Sequence, residues 1–297
     1  MGSDVVSHVA EANGSLRNAT DGDWVVALAQ ARYIASPSLA TMVSLAAALG
    51  RPLLLEGPAG AGKTSLAYAL ATVQARELIR LQCFEGMDAS HALYDWNYHK
   101  QLADLARHDD HQVFDENYLL PRPLMRSLQS RTGAVMLVDE VDRADEAFEA
   151  LLLEFLGEYQ ITVPEWRTVQ AIHRPIVILT SNRTRPLSDA LRRRCLYARL
   201  DWPTAAQEQD ILKVHVSAVG DDVVANFVQA VQRMRTWNLL KPPGVAETID
   251  WAQAFAVTAD AVWGEPWLQR TLGCVIKDAI DFETALRRLP ELLAPDT

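Results

Sequence analysis

Residues 53–64 read Leu-Leu-Leu-Glu-Gly-Pro-Ala-Gly-Ala-Gly-Lys-Thr, an apolar run that opens into G-x-x-x-x-G-K-[ST]. Gly57, Gly60 and Gly62, with Pro58, Ala59 and Ala61 between them, let the backbone curl so that its N–H groups face phosphate oxygens. A helical pattern begins at Ser65 and adds the positive end of a helix dipole at the same place. Lys63 supplies a point charge for the β- and γ-phosphates of a nucleoside triphosphate, and the Thr64 hydroxyl supplies a ligand for Mg2+. A glycine loop that merely turns requires neither a buried strand before it nor a helix after it, and both patterns are present.

A bound triphosphate is inert without a metal anchor and an oriented water. Residues 134–140, Ala-Val-Met-Leu-Val-Asp-Glu, form an apolar run ending in two carboxylates. Asp139 is placed to hold Mg2+ through its water shell, and Glu140 to polarise the attacking water. Alone, the pair reads equally well as a helix cap before Ala144; beside the phosphate loop it reads as catalytic. A third run, residues 176–182, ends at Asn182, which could reach the γ-phosphate or orient the water, although an Asn after a strand is ordinarily a turn residue. Arg192, Arg193 and Arg194 follow; such a cluster by itself is a solvated basic turn.

Around these segments helical and strand-like patterns alternate. Helices are expected over 37–49, about 63–76 and 147–159, and strands over 52–55, 79–82, 135–139 and 176–180. This is the signature of an α/β fold with a mainly parallel sheet covered by helices. A polar and aromatic insertion lies between Cys83 and Gly133, and residues 159–173 read as a hairpin. Beyond Trp202 the period is helical to the end. The expected organisation is a loose tail over 1–23, a nucleotide-binding αβα domain over 24–202 and a small all-helical lid over 203–297.

The chain has 297 residues and a formal charge of −10, with a pI near 5.2, a balance that opposes indiscriminate binding to a phosphate backbone. No apolar run is long enough to span a bilayer, and the chain reads as cytoplasmic with no membrane partner. Cys83, Cys195 and Cys274 are too dispersed for a metal knuckle and read as reduced packing residues.

Taken together, the phosphate loop, the Asp-Glu strand, the Asn strand, the Arg-rich turn and the helical tail resemble AAA+ ATPases over residues 33 to about 255. The resemblance implies ATP and Mg2+ as cofactors and a homo-oligomeric, hexameric ring. It also implies an arginine donated to the neighbour's γ-phosphate, assigned to Arg194 with Arg193 second. It places Tyr33 and Ile34 at the adenine. Residues 51–60, 81–88, 92–98 and 248–251 look like the MoxR family, and most like its CoxD-type subgroup. Such ATPases carry a helix insertion and a hairpin before the Asn strand. They are taken to be chaperone-like, working with a von Willebrand factor A domain protein to mature a client metalloenzyme such as a molybdenum hydroxylase. One position departs from the pattern: Glu247 stands where many relatives place a nucleotide-sensing lid arginine, leaving Arg233, Arg235 or Lys241 as substitutes.

The remaining signals are weaker. His108 to His111 carry metal-capable side chains but read as an acidic surface loop. Phe84, Met87, Tyr94, Trp96 and Tyr98, and Trp166 in the hairpin, either face a partner or pack their segments onto the sheet. Two other functions share this nucleotide core. A DNA-acting motor would want a basic hairpin, whereas residues 159–170 hold one arginine, Arg167; a nucleotide-gated scaffold would not need the full set Lys63, Asp139, Glu140 and Asn182.

Overall fold

The computed structural model describes residues 20–106, 114–164, 166–258 and 261–294. By contacts the chain divides into two units, one of residues 1–31, 35–57 and 63–199, the other of residues 32–34, 58–62 and 200–297.

In the first unit, α1 (Asp21–Gln30) begins inside the stretch read as tail. Thr20 donates its backbone N–H to Asp23 at 2.8 Å, and the helix buries Trp24 and Leu28. Ser36 caps α2 (Pro37–Leu49), Pro37 opens it and Gly50 ends it in the left-handed region. There follow β1 (Leu53–Glu56), α3 (Lys63–Val73) and β2 (Glu77–Gln82). Ala75, at φ +47°, turns the chain between the last two and stops the helix short of the expected 76.

The insertion is more structured than its sequence suggests. It holds α4 (Ala89–Ala92), β3 (Tyr94–Trp96), α5 (Tyr98–Leu105), β4 (Leu119–Pro121) and α6 (Pro123–Gln129), with β3 and β4 antiparallel. Met87 and Trp96 are buried in the core, whereas Phe84 and Tyr98 are exposed, so its aromatics divide between packing and solvent. His108 to His111 lie outside the described residues.

The chain then forms β5 (Ala134–Asp139), α7 (Glu146–Glu158) and the antiparallel hairpin β6 (Gln160–Thr162) and β7 (Thr168–Gln170). Trp166, in the hairpin turn, is half-buried and packs against the core with the Arg167 guanidinium 4.0 Å from its ring centroid. The unit closes with β8 (Ile176–Ser181), α8 (Asp189–Arg194) and β9 (Leu196–Arg199). β1, β2, β5, β8 and β9 make one parallel sheet in the order β2-β5-β8-β1-β9. Central strands of such a sheet are covered on both faces, which explains why β1 and β5 are buried at every position rather than alternating. The C-terminal ends of β1, β5 and β8 lie side by side, the crevice edge where open α/β sheets take ligands.

The second unit contains α9 (Ala205–His215), α10 (Asp221–Thr236), α11 (Val245–Val257), α12 (Glu265–Thr271), α13 (Ala279–Arg287) and α14 (Leu289–Leu293). Its core is aromatic: Phe227 meets Trp251 at 5.2 Å and Trp263 at 4.7 Å edge-on, and Trp251 stacks on Trp267 at 5.9 Å. Glu208, fully buried, is held by Arg235 with two 2.7 Å contacts, by Gln232 at 2.8 Å and by Thr248 at 3.0 Å.

Candidate functional site

β5 and β8 are in register from Val135 opposite Ile176 to Val138 opposite Leu179, which sets Asp139 beside Thr180 where both strands end. α3 starts at Lys63 and presents its first turn to the same strand ends. Lys63 Nζ donates to the Gly57 carbonyl and to Asn182 Oδ1, each at 2.8 Å. Thr64 Oγ1 donates to Asp139 at 3.0 and 3.3 Å, and Thr180 Oγ1 donates to Asp139 Oδ1 at 2.5 Å. Burial lowers the pKa of the Lys63 ammonium, and the field of Asp142, Asp139 and Glu140 opposes that shift.

Glu140 occupies the left-handed region, φ +55° and ψ 49°, which is strained for a non-glycine residue. Its N–H donates to Thr180 Oγ1 at 2.8 Å, fixing the turn out of β5. The Glu140 carboxylate is thereby aimed along the strand ends, where it accepts from Asn182 Nδ2 at 3.2 Å, Gln82 Nε2 at 3.0 Å and Arg143 Nε at 2.9 Å. Asp142, almost fully buried, holds the segment after β8 by accepting from the N–H groups of Asn182 at 3.2 Å and Thr184 at 2.7 Å. Five residues singled out in the sequence, Lys63, Thr64, Asp139, Glu140 and Asn182, therefore share one hydrogen-bonded network.

Several members of this network were not singled out in the sequence. Thr180 stands two residues before Asn182 inside the third apolar run and Asp142 two residues after Glu140, neither at a motif position. Arg80 and Gln82 alternate with Ile79 and Leu81 on β2, and in the fold Arg80 Nη2 donates to Asp139 Oδ2 at 2.6 Å. Glu56, buried at the end of β1, receives Arg183 at 3.3 Å and Arg192 at 3.1 Å. A charged residue between an apolar strand and a glycine loop was the available signal for Glu56.

The basic turn is divided by these contacts. Arg192 is engaged by Glu56 and lies 5.6 Å from the Tyr197 ring centroid. Arg193 and Arg194 are exposed, and their carbonyls accept from Arg51 at 2.8 and 3.4 Å.

Residues 58–62 of the glycine loop group with the second unit. The Gly60 carbonyl accepts from Val245 N–H at 3.0 Å. Gly60, at φ +75°, lies so close to Gly244 that a Cβ on it would stand 2.8 Å from the Gly244 Cα, which excludes any side chain. Glu247 accepts from the Gly244 N–H at 3.1 Å, so it caps α11. The Arg235 guanidinium, offered as one substitute, is buried on Glu208 and donates also to the Pro243 carbonyl at 2.8 Å. Arg233 donates to the Glu291 carbonyl and Lys241 lies 3.6 Å from Asp278. Tyr33 Cε2 lies 3.7 Å from where a Gly62 Cβ would be, and burial raises the pKa of its phenol. Ile34 is half-buried, Pro58 and Ala61 likewise, and Ala59 and Ser65 are exposed.

The donor set of Thr64 hydroxyl and Asp139 carboxylate, oxygen only and 3.0 Å apart, suits a hard divalent cation such as Mg2+.

Residues 52–195 match the family model for the AAA domain (dynein-related subfamily). The gas vesicle ATPase GvpN1 of Halobacterium salinarum is 25% identical over 204 residues, covering 63% of this chain and 57% of that protein. The chaperone protein ClpB 2 of Parasynechococcus marenigrum is 32% identical over 137 residues, covering 45% of this chain and 14% of its own length. Among solved structures, a RuvB variant from Thermotoga maritima superposes with a TM-score of 0.50 at 19% identity, covering 86% of this chain and 75% of that one, which is a likeness of fold.

Proposed function

We propose, from the match of residues 52–195 to the AAA domain (dynein-related subfamily) model and from the P-loop ATPase chemistry with ATP and Mg2+ that goes with it, that the chain is a chaperone-like motor of MoxR type. Residues 57–64 and Ser65 hold the triphosphate, with Lys63 on the β- and γ-phosphates and Tyr33 and Ile34 at the adenine. Thr64 and Asp139 hold Mg2+, which when bound neutralises charge on the phosphates. Glu140 takes a proton from the attacking water, and Asn182, bonded to both Lys63 and Glu140, keeps the water-side carboxylate and the phosphate-side ammonium in fixed relation. Arg194, or Arg193 next to it, serves the neighbouring subunit of a hexameric ring. The observation that carries this reading is the single network joining Lys63, Thr64, Asp139, Glu140 and Asn182 at the ends of β5 and β8.

The client side rests on the MoxR-like segments and on charge. An acidic chain of net charge −10 suits a protein client better than a nucleic acid, and we assign it a cytoplasmic role beside a von Willebrand factor A domain protein, acting on a metalloenzyme. No helix among the described residues is long and apolar enough to cross a membrane. The test is ATP turnover and ring assembly of the purified chain, measured with and without a von Willebrand factor A domain protein and with DNA. Turnover that DNA stimulates in a salt-dependent manner would overturn the chaperone reading.

A further inference from the structure

We infer that Arg80 is a resident counter-ion of the metal-anchoring carboxylate and sets how much divalent cation nucleotide binding requires. The inference rests on the reading of Asp139 as the Mg2+ anchor.

β2 and β5 run parallel with Arg80 opposite Leu137 and Gln82 opposite Asp139. Arg80 therefore starts two residues below the strand end, and its side chain is long enough to reach the end. There Nη2 donates to Asp139 Oδ2 at 2.6 Å and to Gln82 Oε1 at 2.5 Å. Asp139 is thus supplied from three sides. Oδ1 takes Thr180 at 2.5 Å and Thr64 at 3.0 Å, while Oδ2 takes Arg80 at 2.6 Å and Thr64 at 3.3 Å.

These donors differ in charge and in freedom. Thr180 is fully buried and neutral; Arg80 is the charged donor, and its side chain is 45% exposed against 4% for Asp139. β2 is the edge strand of the sheet, so the guanidinium can swing outward into water without losing core packing. Asp139, Glu140 and Asp142 gather three carboxylates at the ends of β5 and β8, tied to Thr180, Asn182 and the Asn182 N–H, and so form an acidic centre. Without Arg80 such a centre attracts a dication by itself. With Arg80 on Oδ2, a cation must displace or tolerate a positive charge a few ångströms away, a repulsion that the phosphates of the nucleotide offset. Metal and nucleotide are thereby made to bind together rather than metal alone.

The experiment is equilibrium binding of a fluorescent ATP analogue to the full chain as Mg2+ is raised from a chelated baseline, for wild type, Arg80→Gln and Arg80→Lys, with thermal melts confirming that each is folded. Arg80→Gln is expected to lower the half-saturating Mg2+ by about threefold or more, and Arg80→Lys, which keeps the charge, to stay within about twofold of wild type. Mn2+ binding without nucleotide, followed by its paramagnetic signal, should tighten in Arg80→Gln as well. An unchanged or raised Mg2+ requirement in Arg80→Gln overturns the inference and leaves nucleotide binding standing. Should Arg80→Gln not fold, Arg80→Ala takes its place with the same expected fall in half-saturating Mg2+, and an unchanged or raised requirement there overturns the inference. A wild-type chain that binds no analogue at any Mg2+ concentration removes the nucleotide reading and this inference with it.

Discussion

The Lys63 ammonium and the Asn182 carboxamide meet at 2.8 Å, joining the first turn of α3 to the residue just past β8. Lys63 also donates to the Gly57 carbonyl at 2.8 Å, so the glycine loop and the end of β8 both help to position its ammonium. Replacing Lys63 with Ala should weaken ATP binding by about a hundredfold, the scale of a lost charge-assisted contact on phosphate, while the nucleotide-free protein stays folded. Titration of the folded variant with a fluorescent nucleotide is the check, and an unchanged Kd would remove Lys63 from the site.

Glu140→Gln keeps the shape of a side chain that Asn182 and Gln82 already fix, but an amide cannot take a proton from water. ATP affinity should persist and steady-state phosphate release should fall by far more than tenfold. A loss of tenfold or less, about 1.4 kcal/mol of barrier, would show that another group is the base.

Arg194→Ala should retain ATP binding and lose on the order of 10³-fold in turnover, because a donated arginine stabilises charge that develops only in the transition state. Mixing this variant with Glu140→Gln should restore part of the activity at interfaces where an intact Arg194 faces an intact Glu140. Arg192→Ala is the contrast. Its guanidinium is held by Glu56, so that variant should act through the end of β1 and show no such complementation. Mixed rings with verified co-assembly and no recovery would return Arg193 and Arg194 to a solvated turn.

Cys83 and Cys195 are buried, and burial is the first cause that pushes each thiol up to about 12. In the unfolded chain these thiols ionise near the ordinary cysteine value of about 8.5. The folded state holds its protons to higher pH, so the stability contributed is complete below the unfolded pKa and is lost as pH rises through the folded one. Midpoints of urea unfolding should therefore decline from about pH 9 upward, and less steeply in a Cys83→Ala, Cys195→Ala variant. At pH 8 a thiol reagent should modify the half-buried Cys274 first, and all three cysteines only in denaturant. Three fast thiols in the native protein would contradict the burial.

Much of the first unit was legible because its strands are apolar at consecutive positions and end in residues of special chemistry. Leu53, Leu54 and Leu55 before the glycine loop, and the run from Ala134 to Asp139, could hardly be placed elsewhere than in a buried parallel sheet. β2 was legible in place but not in role. The run 79–82 was expected as a strand, yet nothing local shows that Arg80 crosses to Asp139, because that contact depends on β2 and β5 becoming neighbours after 51 intervening residues. The β3 and β4 pair was hidden for a similar reason: each strand has three residues, too few to show a period. α1 was missed because its cap, Thr20, lies in a polar run whose composition outweighs the signal from Trp24 and Leu28.

The Glu208 and Arg235 pair bears on how the second unit can drift in sequence. Each residue is almost entirely enclosed, and Thr248 and Gln232 are oriented by the same carboxylate. Losing either partner alone strands an enclosed charge at about 3–5 kcal/mol, a large share of what holds a domain of this size together, whereas exchanging both for apolar residues of similar volume is often neutral or favourable. The two positions are therefore separated from their apolar alternative by a fitness valley that single substitutions must cross, and their separation of 27 positions in the chain makes one simultaneous codon-level event improbable. Descendants of this chain should be found with both charges or with neither.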